Sequence, residues 1–413
     1  MATKSWAGQV GAVAQVVTCT PATIESTDIF TFNINGKQIS FTATDTTVAT
    51  TVAGLVAAWN ASTEPEAMEV TATDTTTEVT LTADTAGKPF TVTLTETDGG
   101  GADTQTFTLA TTQANKSPND VNDGDNWSDG SVPGASDTIH IQHSAVSLLW
   151  NLDALSAVTV TNLTVHDTFT GQIGLPEKNT DGAEYNEYRE THLKLAITNL
   201  EVRGTNSTRL NFNVGTVQTA VDVFGTGTSA DSNVPTMLFL GTHVSNTASV
   251  QKGNVGIAFH GGETSAVVTL KAGWESSAAN DVIMVCGAGT TLTTIDQSNG
   301  TLTTNSAVTT MNKSGGTWTH YAGAVGTINN DAGAVYYRSD GTWTTLHNRG
   351  IFDLSRDNRA RTGTNTSLYA GCSFIDSAKT VTHSNGIDLV HCGIGDLTRL
   401  DVGRHVTLTP SAV

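Results

Sequence analysis

Paired carboxylates and guanidinium groups crowd one short stretch: Asp353, Arg356, Asp357, Arg359 and Arg361. Lining a groove, such a mix does acid–base work, one carboxyl donating a proton while another acts as base. On a loop between two strands, the same residues form a salt-bridged surface or subunit contact, and this second role is the one expected. Asp120, Asp123, Asp125 and Asp129 suggest calcium, but Trp127 falls where an EF-hand loop needs an oxygen ligand, so a solvated linker is expected. Of the 11 His, none forms a His-x-x-x-His pair. His140 and His143 are three apart in or near a strand, which predicts opposite faces. No P-loop, no Gly-x-Gly-x-x-Gly after a strand, no nucleophile elbow and no Cys-x-x-Cys is present. Cys19, Cys286, Cys372 and Cys392 are too few and scattered for a disulfide framework. Cys372 and Cys392, set in Gly-Cys-Ser-Phe and His-Cys-Gly-Ile, read as stacked thiols in neighbouring turns of chain. The expectation is a protein without catalytic residues, cofactor or metal.

Composition narrows the class. Only 14% of the 413 residues are charged, and the balance is taken up by polar and small residues, with 73 Thr and 40 Gly against 8 Pro. Thr suits strands and Gly suits turns, so a long, mainly β protein is expected. A net charge of −19 argues against nucleic acid and anionic membrane surfaces as partners, since phosphate binding needs a basic face. No run of 18 apolar residues predicts a membrane-spanning helix. Met1 to Val10 lacks the charged-then-apolar build of a signal peptide, so synthesis in the cytoplasm with free thiols is expected.

The elements that would position any site fall into four parts. Residues 1–22 read as an arm, with Trp6, Val10, Val13 and Val16 as candidates for docking on a partner subunit. Residues 23–115 read as a small α+β domain of β-hairpin, helix, β-hairpin and a last strand, one sheet covered by one helix. In it, a two-residue turn at Asn35-Gly36 pairs Phe32 with Ile39 and Phe30 with Phe41. Val48, Val52, Leu55, Val56 and Trp59 fall at helical spacing, with Thr46 or Thr47 as cap. A second hairpin sets Val70 opposite Leu81 and Ala72 opposite Val79, and a last strand carries Phe90, Val92 and Leu94. Residues 116–137 read as a linker and cap, in which Trp127, just before the alternating strand at Ile139 and Ile141, covers the open end of a β core.

Residues 138–413 read as a parallel β-helix, a solenoid that starts irregular and becomes regular. Ile295, Met311, Ile328 and Leu346 recur at intervals of 16, 17 and 18. Leu302, Trp318, Val335 and Phe352 form a second column, preceded by Gly300, Gly316, Gly333 and Gly350. Leu292, Val308, Val325 and Trp343 form a third. Three apolar columns at one period mark stacked rungs, each unable to bury its apolar face alone.

The stretches Asp28-Ile-Phe-Thr-Phe-Asn-Ile-Asn-Gly36, Val52-Ala-Gly-Leu-Val-Ala-Ala-Trp-Asn-Ala-Ser62 and Val79-Thr-Leu-Thr-Ala-Asp-Thr-Ala-Gly-Lys-Pro-Phe-Thr-Val92 resemble a small domain of tailed-phage and prophage structural proteins. The segment Trp127 to Ile141 resembles the opening cap of β-helical phage and bacterial surface proteins. The resemblance implies a virion component, most directly a non-enzymatic capsid decoration protein on the shell, with the major capsid protein or other virion proteins as partners and a homo-oligomer, a trimer foremost, as its state. It brings no catalytic residues. The alternative it leaves open is a tail fibre or tailspike contacting host glycan, for which Trp274, Tyr321, Tyr336, Tyr337 and Tyr369 are the available aromatic platforms. A bacterial surface adhesin is the third possibility.

Overall fold

Two parallel sheets dominate the structure, a computed structural model that describes residues 2–101, 104–179, 185–274, 281–402 and 407–411. Among the described residues the longer sheet holds fifteen strands and the shorter eleven. The chain visits them in turn: Val308–Lys313 lies in the longer sheet, Thr317–His320 in the shorter, and Val325–Asn330 in the longer again. One visit to each makes a rung. Parallel strands cannot be joined by a tight hairpin; here the strand of the opposite sheet serves as the crossover. The fold is mainly β, and this alternation is compatible with a parallel β-helix.

Side chains that alternate along each strand fill the space between the sheets. Met311 lies between Ile295 and Ile328, and Ile328 between Met311 and Leu346. Val308 lies between Leu292 and Val325, with Trp343 next. In the shorter sheet the sequence runs Leu302, Trp318, Val335, Phe352. All twelve side chains are at most 3% exposed. Burial of each such side chain is worth roughly 1.5–3 kcal/mol.

Four successive strands of the longer sheet end on a buried polar residue: Gln297, Lys313, Asn330 and Asn348. At this corner the backbone leaves the ladder and its carbonyls need other donors. The Lys313 ammonium supplies them to Gly315, Gly316 and Ala332 at 2.7, 2.6 and 2.8 Å, and burial lowers its pKa to about 8. Asn330 donates to Asn348 Oδ1 at 2.7 Å and to the Ile351 carbonyl at 3.1 Å. The glycines that follow are tied to this corner. Gly316 has φ +69°, and a Cβ there would collide with the Gly300 carbonyl one rung away, so only glycine fits.

The small domain has its own core, built on Phe30, Phe32, Val52, Leu55, Trp59, Val79 and Leu81. Asn35 and Gly36 adopt φ +49° and +74°, and Phe32 faces Ile39 and Phe30 faces Phe41. The helix spans Val48–Asn60 and buries Val52, Leu55 and Trp59. Its N-terminus differs from expectation: Thr47 makes no side-chain cap, and Asp45 instead accepts the Thr47 N–H at 2.7 Å. The second hairpin is shifted by two residues, Val70 facing Ala83 and Ala72 facing Leu81, because the loop covers residues 75–78 and closes through Thr75 N–H to Glu78 O at 3.2 Å. An even shift keeps the same residues inward. Phe90 and Val92 are buried just ahead of the strand Thr93–Thr97, which a further strand, Thr106–Gln113, follows. One sheet was expected; two are present. Val16–Ala22 lies between Val79–Ala83 and Thr106–Gln113 in a four-stranded sheet, while Ile29–Ile34 lies between Lys37–Thr42 and Thr93–Thr97 in a three-stranded one.

The N-terminal arm requires the largest correction. Thr3–Ser5 pairs in parallel with Thr138–Ile141 as a strand of the longer sheet. Trp6 is 2% exposed, meets Trp127 edge-on at 5.2 Å and donates to the Val146 carbonyl at 2.8 Å. Val10 and Val13 are half-buried, with Val13 bridging to Lys116, and Val16 sits in the small domain's sheet. The residues expected to dock on a partner are therefore engaged within the chain: Trp6 in the larger core, and Val10, Val13 and Val16 through their backbones. The chain starts in the parallel sheets, leaves to build the small domain, and returns through residues 114–127.

Candidate functional site

Outward side chains of the longer sheet build a groove of about 390 Å³. The residue after each member of the Ile295 column points outward, giving the series Asp296, Asn312, Asn329 and His347, one per rung. Asn312 donates to Asp296 and Asn329 donates to Asn312, both at 2.8 Å. All the amides thus point one way along the coil. The series breaks at His347, whose buried Nδ1 has no hydrogen-bond partner. The other wall is Asp331, Arg349 and Tyr369. Arg349 is held by Asp331 at 2.7 Å and lies over the Tyr369 ring, 3.8 Å from its centroid. The groove offers planar hydrogen-bonding groups at a fixed repeat, with one arginine and one carboxylate.

A larger cleft, about 600 Å³, lies between the small domain and the parallel sheets, beside a clamp. Glu69 of the small domain takes Lys88 at 2.8 Å, Arg189 at 3.1 Å and the Tyr185 hydroxyl. Arg189 also donates to the Pro89 carbonyl at 3.0 Å and to Glu187 at 2.8 Å, and lies over the rings of Tyr188 and Trp150. Tyr185 and Arg189, which fall between the rungs, thus grip the small domain. The polar groups here are mostly spent on one another, so the cleft reads as a joint.

The acid–base candidates fall apart as a catalytic set. Arg361 is buried and donates to the Tyr337 carbonyl at 3.1 Å and to the Arg359 carbonyl at 2.9 Å. Asp357 is gripped by Arg359 at 2.6 Å, which holds its pKa down to about 2. A carboxyl held ionised is a poor proton donor at neutral pH; the cluster is a structural ion pair that anchors a corner. Arg356 is exposed, and Asp353 accepts the Ser355 N–H at 2.6 Å. Asp120, expected in solvated linker, is buried and bonded to Asn122 and Asn151, while Asp129 pairs with Lys4 at 2.6 Å. Among the described residues, no three His, Cys, Asp or Glu side chains are grouped to hold a metal.

Of the aromatic platforms, Tyr337 is fully buried and belongs to the core. Trp274 and Tyr321 are about half exposed, Tyr336 lies beneath Arg338 and Tyr369 beneath Arg349. His140 stacks across rungs on His166, their ring nitrogens 3.0 Å apart. All four cysteines are free; Cys372 is buried and the Cys392 thiol donates to the Leu368 carbonyl. Sequence reading passed over one cluster entirely. His260 holds Glu177 through Nδ1 at 3.0 Å and Glu263 through its backbone N–H at 2.9 Å, and Glu263 lies 3.8 Å from His192. Glu177, His192 and the His260–Glu263 pair come from three separate turns of chain, so local spacing marks only the last two.

Buried histidines make a pH dependence. Burial pushes His192, His320 and His383 down to about 4. Their ordinary pKa is about 6.5, so the unfolded chain binds more protons between pH 6.5 and 4, and stability falls as pH falls through that window. Asp120, Asp222 and Glu263, held up by burial, act in the opposite sense. A difference measurement isolates His320, which bonds Thr304 at 2.8 Å and the Gly323 carbonyl at 2.9 Å. His320→Gln is expected to lose less stability than the natural chain between pH 7 and 5, by about 1–2 kcal/mol in urea midpoints. Parallel loss in both proteins would refute a neutral buried His320.

Comparison with known proteins leaves the chain without relatives to argue from: no family model matches it, and searches of curated proteins and of solved structures find no match.

Proposed function

We propose that this chain is a non-enzymatic structural protein of a virion: a parallel β-helical rod carrying a small α+β head, which decorates the capsid shell as a homo-oligomer, a trimer foremost. What supports the reading is the joint. Two chain connections run between head and rod, since the head is inserted between Thr3–Ser5 and Thr138–Ile141. The Glu69 clamp adds a third tie. A rod fixed to its head at three places transmits load, which is what a shell-bracing part needs. With the N-terminal segment engaged internally, the head supplies the contact with the major capsid protein. Imaging of particles from the native source, with an antibody against residues 130–413, tests the proposal. Label spread over the shell is the expected result; label confined to the tail end, or absent from every particle, would overturn it. A tail fibre or tailspike is the second reading, favoured by the repeating groove on the rod's flank.

A further inference from the structure

We infer that the groove along Asn312, Asn329 and His347 binds a neutral oligosaccharide laid parallel to the axis of the coil. The inference rests on the groove alone and stands whichever part of a particle the chain occupies.

Three properties select this ligand. The first is repeat. Asp296, Asn312, Asn329 and His347 are direct ladder neighbours, so their groups recur at the strand spacing of roughly 4.8 Å. A pyranose unit in an extended chain advances by a comparable length, so alternate sugars of a flat 1,4-linked chain present the same face at every second rung. An extended peptide advances roughly 3.3 Å per residue and presents the same face at about twice that, and falls out of step within two rungs. The second is polarity. Sugar hydroxyls both donate and accept. The groove sets amide and guanidinium donors on Asn329 and Arg349 beside the Asp331 carboxylate, so a hydroxyl seated there can accept from one wall while donating to the other. Arg349, held by Asp331 and by the Tyr369 ring, keeps its planar fork of N–H groups fixed, as recognition of neighbouring hydroxyls requires. The third is charge. The groove sets the Asp331 carboxylate against Arg349 on a chain of net charge −19, which disfavours acidic polymers.

The test uses the full chain and calorimetric titration with hexasaccharides of glucose, mannose, galactose and N-acetylglucosamine, in 1,3- and 1,4-linkage, beside a hexuronate. At least one neutral hexasaccharide is expected to bind and the hexuronate to bind at least tenfold more weakly. Asn329→Asp and Arg349→Lys, both on the outer surface, are each expected to weaken binding at least tenfold with an unchanged thermal melt. Thr303→Ala, on the other sheet, leaves binding as it is. Absence of binding to every neutral hexasaccharide overturns the inference, as does equal binding of the hexuronate. Natural affinity in both groove variants also overturns it, because the sugar would then sit elsewhere. None of these outcomes bears on where the protein sits in a particle, which the imaging experiment reads separately.

Discussion

Ile328→Asp is expected to abolish cooperative folding of the parallel sheets. Ile328 is fully buried, with Met311 and Leu346 as its ladder neighbours. Removing the aliphatic side chain costs about 2–5 kcal/mol through lost burial and the cavity left behind. The carboxyl then has to enter a closed apolar column with no donor beside it, adding several kcal/mol even when it takes up a proton. Together these approach the 5–15 kcal/mol that a folded domain has in total. The companion variant is Thr327→Asp, one residue earlier on the same strand, where the side chain points outward and is half-buried. It is expected to change stability by less than about 1 kcal/mol. Urea titration followed by tryptophan fluorescence reads both, since Trp318 and Trp343 lie in the rungs on either side. The small domain has a separate core around Trp59 and should keep its own transition in Ile328→Asp. A natural-like melt of Ile328→Asp, or equal damage from the two variants, would refute the register.

That contrast also explains what the sequence makes legible. Where one apolar residue per rung recurs at 16 to 18 residues, the period is visible because each rung has the same need: one inward side chain over another. The outward groove obeys the same period, since Asp296, Asn312, Asn329 and His347 each follow a column member. It escapes notice because polar outward residues are common in any strand, and only the folded ladder brings their amides into contact. Other features carry no period at all. Thr3–Ser5 is three residues long and finds its partner strand at residue 138. Val16–Ala22 pairs with Thr106–Gln113 some ninety residues on, so an apolar run next to a terminus reads as an arm when nothing local announces its neighbours. The clamp at Glu69 and the His260 cluster are likewise assembled from distant turns of chain.

The internal placement of the N-terminal segment leads to the second large effect. If residues 1–20 were an arm that docks elsewhere, deleting them would leave the fold intact. Two graded truncations separate that case from the one the structure describes. Removing residues 2–8 takes away the strand Thr3–Ser5, the Lys4–Asp129 pair and Trp6. Trp6 packs edge-on against Trp127 in the larger core; loss of a buried tryptophan costs about 3–5 kcal/mol. The rungs around Ile139 and Leu163 should then open first, seen as faster amide exchange there, while the small domain still melts as a unit. Extending the deletion to residue 20 removes most of Val16–Ala22, the strand that joins Val79–Ala83 to Thr106–Gln113. Its loss splits the four-stranded sheet and uncovers Leu81 and Phe107, so the small domain is expected to lose its transition as well. The order is the diagnostic: the short truncation damages the parallel sheets only, and the long one damages both cores. Two truncated proteins that melt like the full chain would mean the segment is an arm after all, and its pairing with Thr138–Ile141 would fall with that result.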